Sequence, residues 1–297
     1  MSILEQPGWA CVALATPVVE RPDGALSVDI PRLVDRARYV LAAGCNGVVP
    51  FGTTGEGPAF SVQQRCLAVE GLLAAGIGAD RIIVGCGATA LADVIALARH
   101  ACGVGCAVLA PPPFFLRAGG ADGIFDAYRR VVAGVGSSAL RLLIYNIPSV
   151  SGFPVPVATV QALARAHPGI VVGVKDSGLV WDEVAPMVRG GDGLRIAVGL
   201  ESFIPRAMAL GGVGTICGLG NIVPQTVAAT VAGNAAAGEA LARLAAAFDG
   251  RPFLPTLKAV MAALSDEAEW AQPMPPLDPV AAAAVDDIVG LVRGMAA

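Results

Sequence analysis

Eight short apolar runs recur along the chain, and each is followed by a longer segment whose apolar residues return at helical spacing. The runs are CVALATPV (11–18), GVVPFG (47–52), RIIVGCG (81–87), CAVLAPP (106–112), LRLLIYNI (140–147), IVVGVKDS (170–177), RIAVGLES (195–202) and VGTICGLG (213–220). Rich in β-branched residues and bounded by Gly and Pro, they read as buried strands. The segments at 30–43, 61–76, 89–102, 123–135, 156–167, 181–188 and 203–210 read as helices between them. Repeated strand–helix units imply parallel pairing, and eight of them close a barrel. The pattern therefore predicts an α/β protein with a (β/α)8 barrel of the TIM type over residues 1–223. From Pro224 onward strand signals stop. Helices are expected near 224–247, 255–265 and 279–295, so that 224–297 forms a three-helix C-terminal extension whose Ala-rich composition favours helix.

Composition adds what patterning leaves open. Of 297 residues 55% are hydrophobic and only 15% charged, which fits a tightly packed enzyme-like fold and argues against disorder. A net charge of −4 supplies no basic field for nucleic acid or an anionic membrane. No stretch of about 18 apolar residues free of Gly, Pro and charge occurs, so no membrane span is expected. The first residues carry Glu5 and Pro7 where a secretory signal would be basic, which leads to the expectation of a cytoplasmic protein. Seven cysteines (Cys11, Cys45, Cys66, Cys86, Cys102, Cys106, Cys217) lie mostly inside apolar segments, as reduced buried thiols do. With two histidines and no CxxC spacing, no metal site is expected, nor any cofactor.

Candidate chemistry gathers where strands end, since barrel sites form from the loops after them. Of 20 Lys and Arg residues only Lys175 and Lys258 are lysines, and Lys175 ends the sixth strand in GIVVGVKDSG (169–178). Alternation places Lys175 with Gly173 and Val171 on one face and Val172 with Val174 on the other. In a barrel mouth its ammonium would be poorly hydrated, which lowers its pKa and frees an amine to attack a carbonyl carbon. The alternative is an ion pair with Asp176 or Glu201. Tyr145 ends the neighbouring fifth strand, where a phenol can move protons as an imine forms, or can simply be a rim aromatic. The loop GTTGEG (52–57) offers Gly52 and its neighbouring main-chain N–H groups with the Thr53 and Thr54 hydroxyls, which suits a carboxylate; Glu56 counts against a doubly charged phosphate. Lysine, tyrosine and carboxylate loop together suit 2-keto acids.

GTTGEG, YNIPSVSG and GVKDS, in this order and at these strand ends, resemble the dihydrodipicolinate synthase / N-acetylneuraminate lyase family of class I pyruvate-dependent aldolases. The resemblance spans the whole chain, tail included. It implies Lys175 as the Schiff-base lysine, Tyr145 as the proton-transferring residue, and Thr53 with Thr54 as the pyruvate carboxylate site. Ile216 would line the pocket through its main chain, and Gly199 with Glu201 would face the substrate beyond its pyruvyl unit. It also implies a homotetramer built as a dimer of dimers. Two positions depart from the synthases: Phe115 stands where they carry a second tyrosine, and Val150 where they carry an arginine for the aldehyde's carboxylate. Glu201 is followed by Ser202, where the sialic acid lyase has an acidic pair. The resulting expectation is a lyase that cleaves or forms a 2-keto acid, of the 2-keto-3-deoxy acid type, with pyruvate and an aldehyde as partners. A dehydratase or deaminase using the same imine remains open, as does a non-catalytic keto-acid binding protein. 4-Hydroxy-tetrahydrodipicolinate synthase activity is disfavoured by Phe115 and Val150.

Overall fold

The computed structural model describes residues 2–117 and 119–295. Eight parallel strands form one sheet: β1 (Trp9–Ala13), β2 (Gly47–Val49), β3 (Ile83–Gly85), β4 (Ala107–Ala110), β5 (Leu142–Asn146), β6 (Val171–Asp176), β7 (Arg195–Val198) and β8 (Gly214–Cys217). Neighbours pair in order, β8 pairs back onto β1, and a single parallel bridge, Val48 to Ile82, joins β2 to β3. The sheet is thus a closed barrel, as the strand count required. Seven of the strands lie inside the runs predicted for them, and β1 starts two residues ahead of its run, at Trp9; all end earlier than predicted, because the Gly- and Pro-rich ends of those runs cross the mouth as loops.

Helices α1 (Ile30–Ala42), α2 (Val62–Ala74), α3 (Leu91–Gly103), α4 (Ala121–Val135), α5 (Val157–Ala166), α6 (Trp181–Arg189) and α7 (Ile204–Ala209) return the chain between strands. Their starts are coded locally. The Asp29 carboxylate accepts from the N–H of Arg32 ahead of α1, and Ser61 with Gln64 forms a capping box ahead of α2. The buried face of α1, Leu33, Val34, Ala37 and Val40, follows the 3.6-residue period.

Alternation along the strands splits the core in two. One cluster fills the barrel interior with Cys11, Ala13, Val49, Ile83, Leu109, Leu143, Tyr145, Ala197 and Ile216; the other packs Val48, Val108, Ile144, Val174 and Ile196 against the helices. Trp9 and Ile3, both fully buried, fill the end opposite the mouth.

The structure corrects three expectations. Strict alternation on β6 fails at its start: the register against β5 shifts between Leu142 and Leu143, so Val171 joins the outer cluster and Val172 the inner. A bulge adds one residue to one strand and flips facing on one side of it. The helix expected over 224–247 is two helices, α8 (Pro224–Val231) and α9 (Ala235–Ala246), parted at Gly233 with φ 91° and restarted by Asn234, whose side chain accepts from the N–H of Ala237. The tail continues with α10 (Phe253–Ser265) and α11 (Asp286–Met295). Finally, a small antiparallel hairpin, Val18–Glu20 against Leu26–Val28, stands between the first strand and α1, where no element was expected. No described helix is long and apolar enough to cross a membrane.

Candidate active site

Register builds the centre of the mouth. Tyr145 on β5 pairs with Lys175 on β6, which pairs in turn with Ala197 on β7. The small alanine leaves width for the lysine on one side, and the phenol ring flanks it on the other: the Lys175 Nζ lies 4.4 Å from the Tyr145 ring centroid. Both residues are only 4% exposed. Neither Asp176 nor Glu201 forms an ion pair with Lys175; Asp176 faces outward, where its Oδ1 accepts from the Asn146 side chain at 3.1 Å and from the N–H of Gly178 at 2.8 Å. Among the described residues Lys258 is the lysine held by a carboxylate. Gly173, two residues before the lysine, is required by close strand approach: a Cβ there would sit 2.3 Å from the carbonyl oxygen of Arg195.

The Tyr145 hydroxyl and the Thr53 Oγ1 lie 3.3 Å apart, and Tyr145 also hydrogen-bonds Ser177 and Lys175. Burial alone would push the phenol up, but the Lys175 charge and these three hydrogen bonds outweigh it and hold the group below its ordinary value. Such a phenol gives up its proton more readily than a free one.

The threonine loop GTTGEG is folded by its glycines. Phe51 and Glu56 take left-handed backbone angles (φ 61° and 51°), and the loop closes on the Phe51 carbonyl oxygen. A Cβ at Gly57 would meet that oxygen at 2.0 Å and one at Gly85 at 2.4 Å. The Thr16 Oγ1 donates to the Gly55 carbonyl at 2.7 Å, tying the β1 end to the loop. Gly52 and both threonines end at cavities: Thr53 and Thr54 line the mouth cleft, and Gly52 lines a smaller chamber beside it. Glu56 does not face the cleft. Its carboxylate is buried beneath the loop in an ion pair with Lys258 of α10 and accepts from the N–H of Met274 at 2.6 Å, so it brings no negative charge to the cleft.

The cleft holds about 610 Å³. It brings together Lys175, Tyr145, Thr53, Thr54, Ile216, Gly199 and Glu201. Phe115 is not among its lining residues; its ring is 75% exposed. Val150 lines the smaller chamber instead, together with Phe114. Two groups in the cleft escaped the sequence reading. Ser177, two residues after the lysine, packs its Oγ where a Cβ at Gly199 would come within 2.0 Å, which is why that position is glycine. The C-terminal helices supply Ala242, Ala245 and Phe253, with Phe253 so near Gly218 that a Cβ there would lie 2.7 Å from its ring. Only the KDSG motif hinted at the first; nothing in the sequence pattern could bring the tail over the mouth.

Glu201 is 8% exposed, and its Oε1 accepts from the N–H of Leu219 at 2.9 Å. Burial pushes this carboxyl above its ordinary range, against the pull of the Leu219 N–H, the Cys217 thiol and the Lys175 charge. A carboxyl raised on folding binds its proton more tightly in the folded state, so stability is fully present below its unfolded pKa and declines as pH rises through the folded value. Glu201→Gln removes that decline. Melting temperatures of the two proteins should therefore diverge in the variant's favour as pH climbs from about 4 to about 8, and a constant difference would show that Glu201 does not titrate in this range. Among the described residues no group of three or more His, Cys, Asp or Glu is placed to hold a metal ion.

A lysine and a tyrosine thus stand side by side at the C-terminal mouth of an eight-stranded (β/α)8 barrel. Residues 10–289 match the model of the dihydrodipicolinate synthetase family. This chain belongs to that family, whose members are pyruvate-dependent lyases. It is 34% identical over 259 residues to an uncharacterized DapA-like lyase of Chloroflexus aurantiacus, covering 84% of this chain and 85% of that protein. It is 32% identical over 231 residues to the 4-hydroxy-tetrahydrodipicolinate synthase of an Azoarcus species, covering 76% of each. The crystal structure of dihydrodipicolinate synthase from Agrobacterium tumefaciens superposes with a TM-score of 0.88 at 31% identity, over 97% of this chain and 99% of that one.

Proposed function

We propose that this chain is a Schiff-base lyase that reversibly cleaves a 2-keto acid of the 2-keto-3-deoxy acid type into pyruvate and an aldehyde. The observation that carries the reading is a buried lysine without a carboxylate partner, in register with a tyrosine whose hydroxyl reaches the threonine loop. The Thr53 and Thr54 hydroxyls with nearby N–H groups hold the substrate carboxylate. The Lys175 ammonium gives a proton to solvent and its Nζ attacks C2; the carbonyl oxygen takes protons through Tyr145 and leaves as water, giving the protonated imine. Tyr145 then accepts the proton of the C4 hydroxyl, the C3–C4 bond breaks, and its electron pair flows to the imine nitrogen as the enamine forms. The aldehyde departs with the C4 oxygen. Protonation of C3 restores the imine, and water hydrolyses it to pyruvate and free lysine.

Val150 offers no cation to a second carboxylate, which counts against the synthase activity named for several relatives. A dehydratase acting through the same imine draws support from the buried Glu201 carboxyl, a group able to protonate a leaving hydroxyl. Product analysis separates the two, since only the aldolase releases pyruvate from a larger acid. The seven free cysteines suit a reducing cytoplasm, and the family resemblance supports a homotetramer.

Incubation with pyruvate and borohydride should add the mass of a reduced pyruvyl group to a single peptide, the one bearing Lys175. An unmodified Lys175 after saturating pyruvate would remove the imine from the mechanism.

A further inference from the structure

Tyr145 and Lys175 are each followed by a polar residue that the reaction leaves unused. Asn146 and Asp176 form the next pair of the same register, 6% and 1% exposed, and turn to the opposite face of the sheet. There the Asn146 amide works in two directions: its Nδ2 donates to the Asp176 Oδ1 at 3.1 Å, and its Oδ1 accepts from the N–H of Val155, in the loop ahead of α5, at 2.9 Å. The same Asp176 oxygen accepts from the N–H of Gly178 at 2.8 Å. A Cβ at Gly178 would lie 3.2 Å from that oxygen and 2.8 Å from Val184, so a glycine lets the main chain come this close.

We infer, on the lyase reading above, that Asn146 and Asp176 are positioning residues: their side-chain hydrogen bond on the outside of the barrel holds β5 and β6 in the register that sets Tyr145 beside Lys175 inside it.

The bulge is the reason this register needs holding. Of the described strand pairs, β5 and β6 are the two whose register shifts, between Leu142 and Leu143. Carried on from Leu142 opposite Val171 without that shift, Tyr145 would oppose Val174, which packs against the helices, and Asn146 would oppose Lys175. Ladder bonds between main-chain groups are blind to sequence, so the choice of register falls to side chains. Leu143, Ile144 and Val174 pack without direction, whereas the Asn146–Asp176 bond is directional and exists only where 146 stands opposite 176. Past the ladder the Ser177 N–H donates to the Asn146 carbonyl at 2.8 Å, and the Ser177 side chain hydrogen-bonds Tyr145. Slack at this pair would therefore reach the phenol twice, through its distance to Lys175 and through its bond to Ser177.

Asp176 also has a spare oxygen. Its Oδ2 is buried with no hydrogen-bond partner among the described residues. Burial pushes the carboxyl above its ordinary range, with Glu183 on α6 adding to the push and the Gly178 N–H and Asn146 amide opposing it. A carboxyl so placed tolerates no second negative charge beside it.

The test follows the full-length protein with pyruvate alone in heavy water. In the mechanism above a C3 proton leaves the imine as the enamine forms and a deuteron returns, so NMR reads the rate of deuterium uptake with no aldehyde present; borohydride trapping of the parent runs alongside. Asn146→Asp sets a second carboxyl against Asp176. The two keep their bond while they share a proton and repel once both ionise, so the maximal exchange rate relative to the parent should fall by about tenfold or more between about pH 5 and about pH 8. The KM for pyruvate should change little, because the threonine loop follows β2 and not β5 or β6. Asn146→Asp combined with Asp176→Asn exchanges amide and carboxyl across the same gap and should recover most of the rate lost at high pH. A pair that only stabilised the fold would lower the melting temperature and leave the rate per folded molecule, and its pH dependence, as in the parent. If folded Asn146→Asp keeps the parent's pH profile, or the folded double variant recovers nothing, the register is held without this pair and the inference is overturned alone. If Asn146→Asp does not fold, Asn146→Ala, which brings no second charge, should lose about tenfold in maximal rate at every pH, and a loss under about twofold overturns the inference in the same way. If the parent neither takes up deuterium nor traps, the lyase reading falls and the pair has no reaction to position.

Discussion

Lys175→Arg lowers pyruvate release by a factor of about 10²–10⁴ and eliminates the borohydride adduct, because guanidinium stays protonated and supplies no amine to C2. The substitution preserves positive charge beside Tyr145, so a mechanism in which Lys175 only orients or neutralises the carboxylate predicts a mild loss instead. The two accounts therefore separate on one variant. Substrate binding, read by calorimetry with pyruvate, should persist at a weakened level, since the Thr53/Thr54 loop is untouched. Because the lysine occupies a mouth only 4% exposed, the larger head could disturb packing, and Lys175→Ala serves as the second variant. Retention of more than about a tenth of the turnover by either, with a native melting temperature, excludes the covalent route.

Lys258→Met should cost about 3–5 kcal/mol of stability, the usual penalty for removing one partner of a buried ion pair. Lys258 is fully buried, donates to the Gln272 carbonyl at 2.9 Å and pairs with Glu56 under the threonine loop. Burial pushes its ammonium below the ordinary value and Glu56 opposes that, so the pair stands or falls together. Removing the lysine leaves the Glu56 carboxylate facing hydrocarbon with the N–H of Met274 as its remaining donor. A fall in melting temperature on the order of 10 °C is expected, and the KM for pyruvate should rise because the Thr53/Thr54 loop has lost its footing. The double variant Glu56→Gln with Lys258→Met recovers most of the stability, since a neutral amide keeps the Met274 hydrogen bond without a buried charge. If the single variant melts within about 2 °C of the parent, the pair is not holding the loop.

Most of the barrel was legible because each strand is a continuous apolar run buried on both faces, and Lys175 stood out as a charge within such a run. Tyr145 and the threonine loop followed from position at strand ends. What escaped is instructive in kind. The Val18–Glu20 hairpin strand has two exposed residues of three and carries no buried run to announce it. The β6 bulge depends on how β5 and β6 meet, which no single strand encodes. The break after α8 did have a signal, Gly233 followed by Asn234, which the high helix propensity of the surrounding alanines overrode. Glu56 and Met274 lie 218 positions apart, and Phe253, which lines the same cleft as Thr54, is also far from it in sequence; neither juxtaposition leaves a mark on local pattern. Phe115, at the position where the synthases carry a second tyrosine, stands exposed outside the cleft of its own chain, while Phe114 lines the smaller chamber.

The Glu56–Lys258 pair also sets an order of events at the ribosome. The threonine loop emerges early, while the lysine that neutralises the carboxylate beneath it is made about 200 residues later, a delay of roughly 10–40 s at common translation rates. Until α10 arrives, Glu56 must stay hydrated, and hydration there is incompatible with the loop lying down on the Phe51 carbonyl. The eight strands of the barrel can therefore all be made before the lysine that neutralises the charge beneath the threonine loop exists.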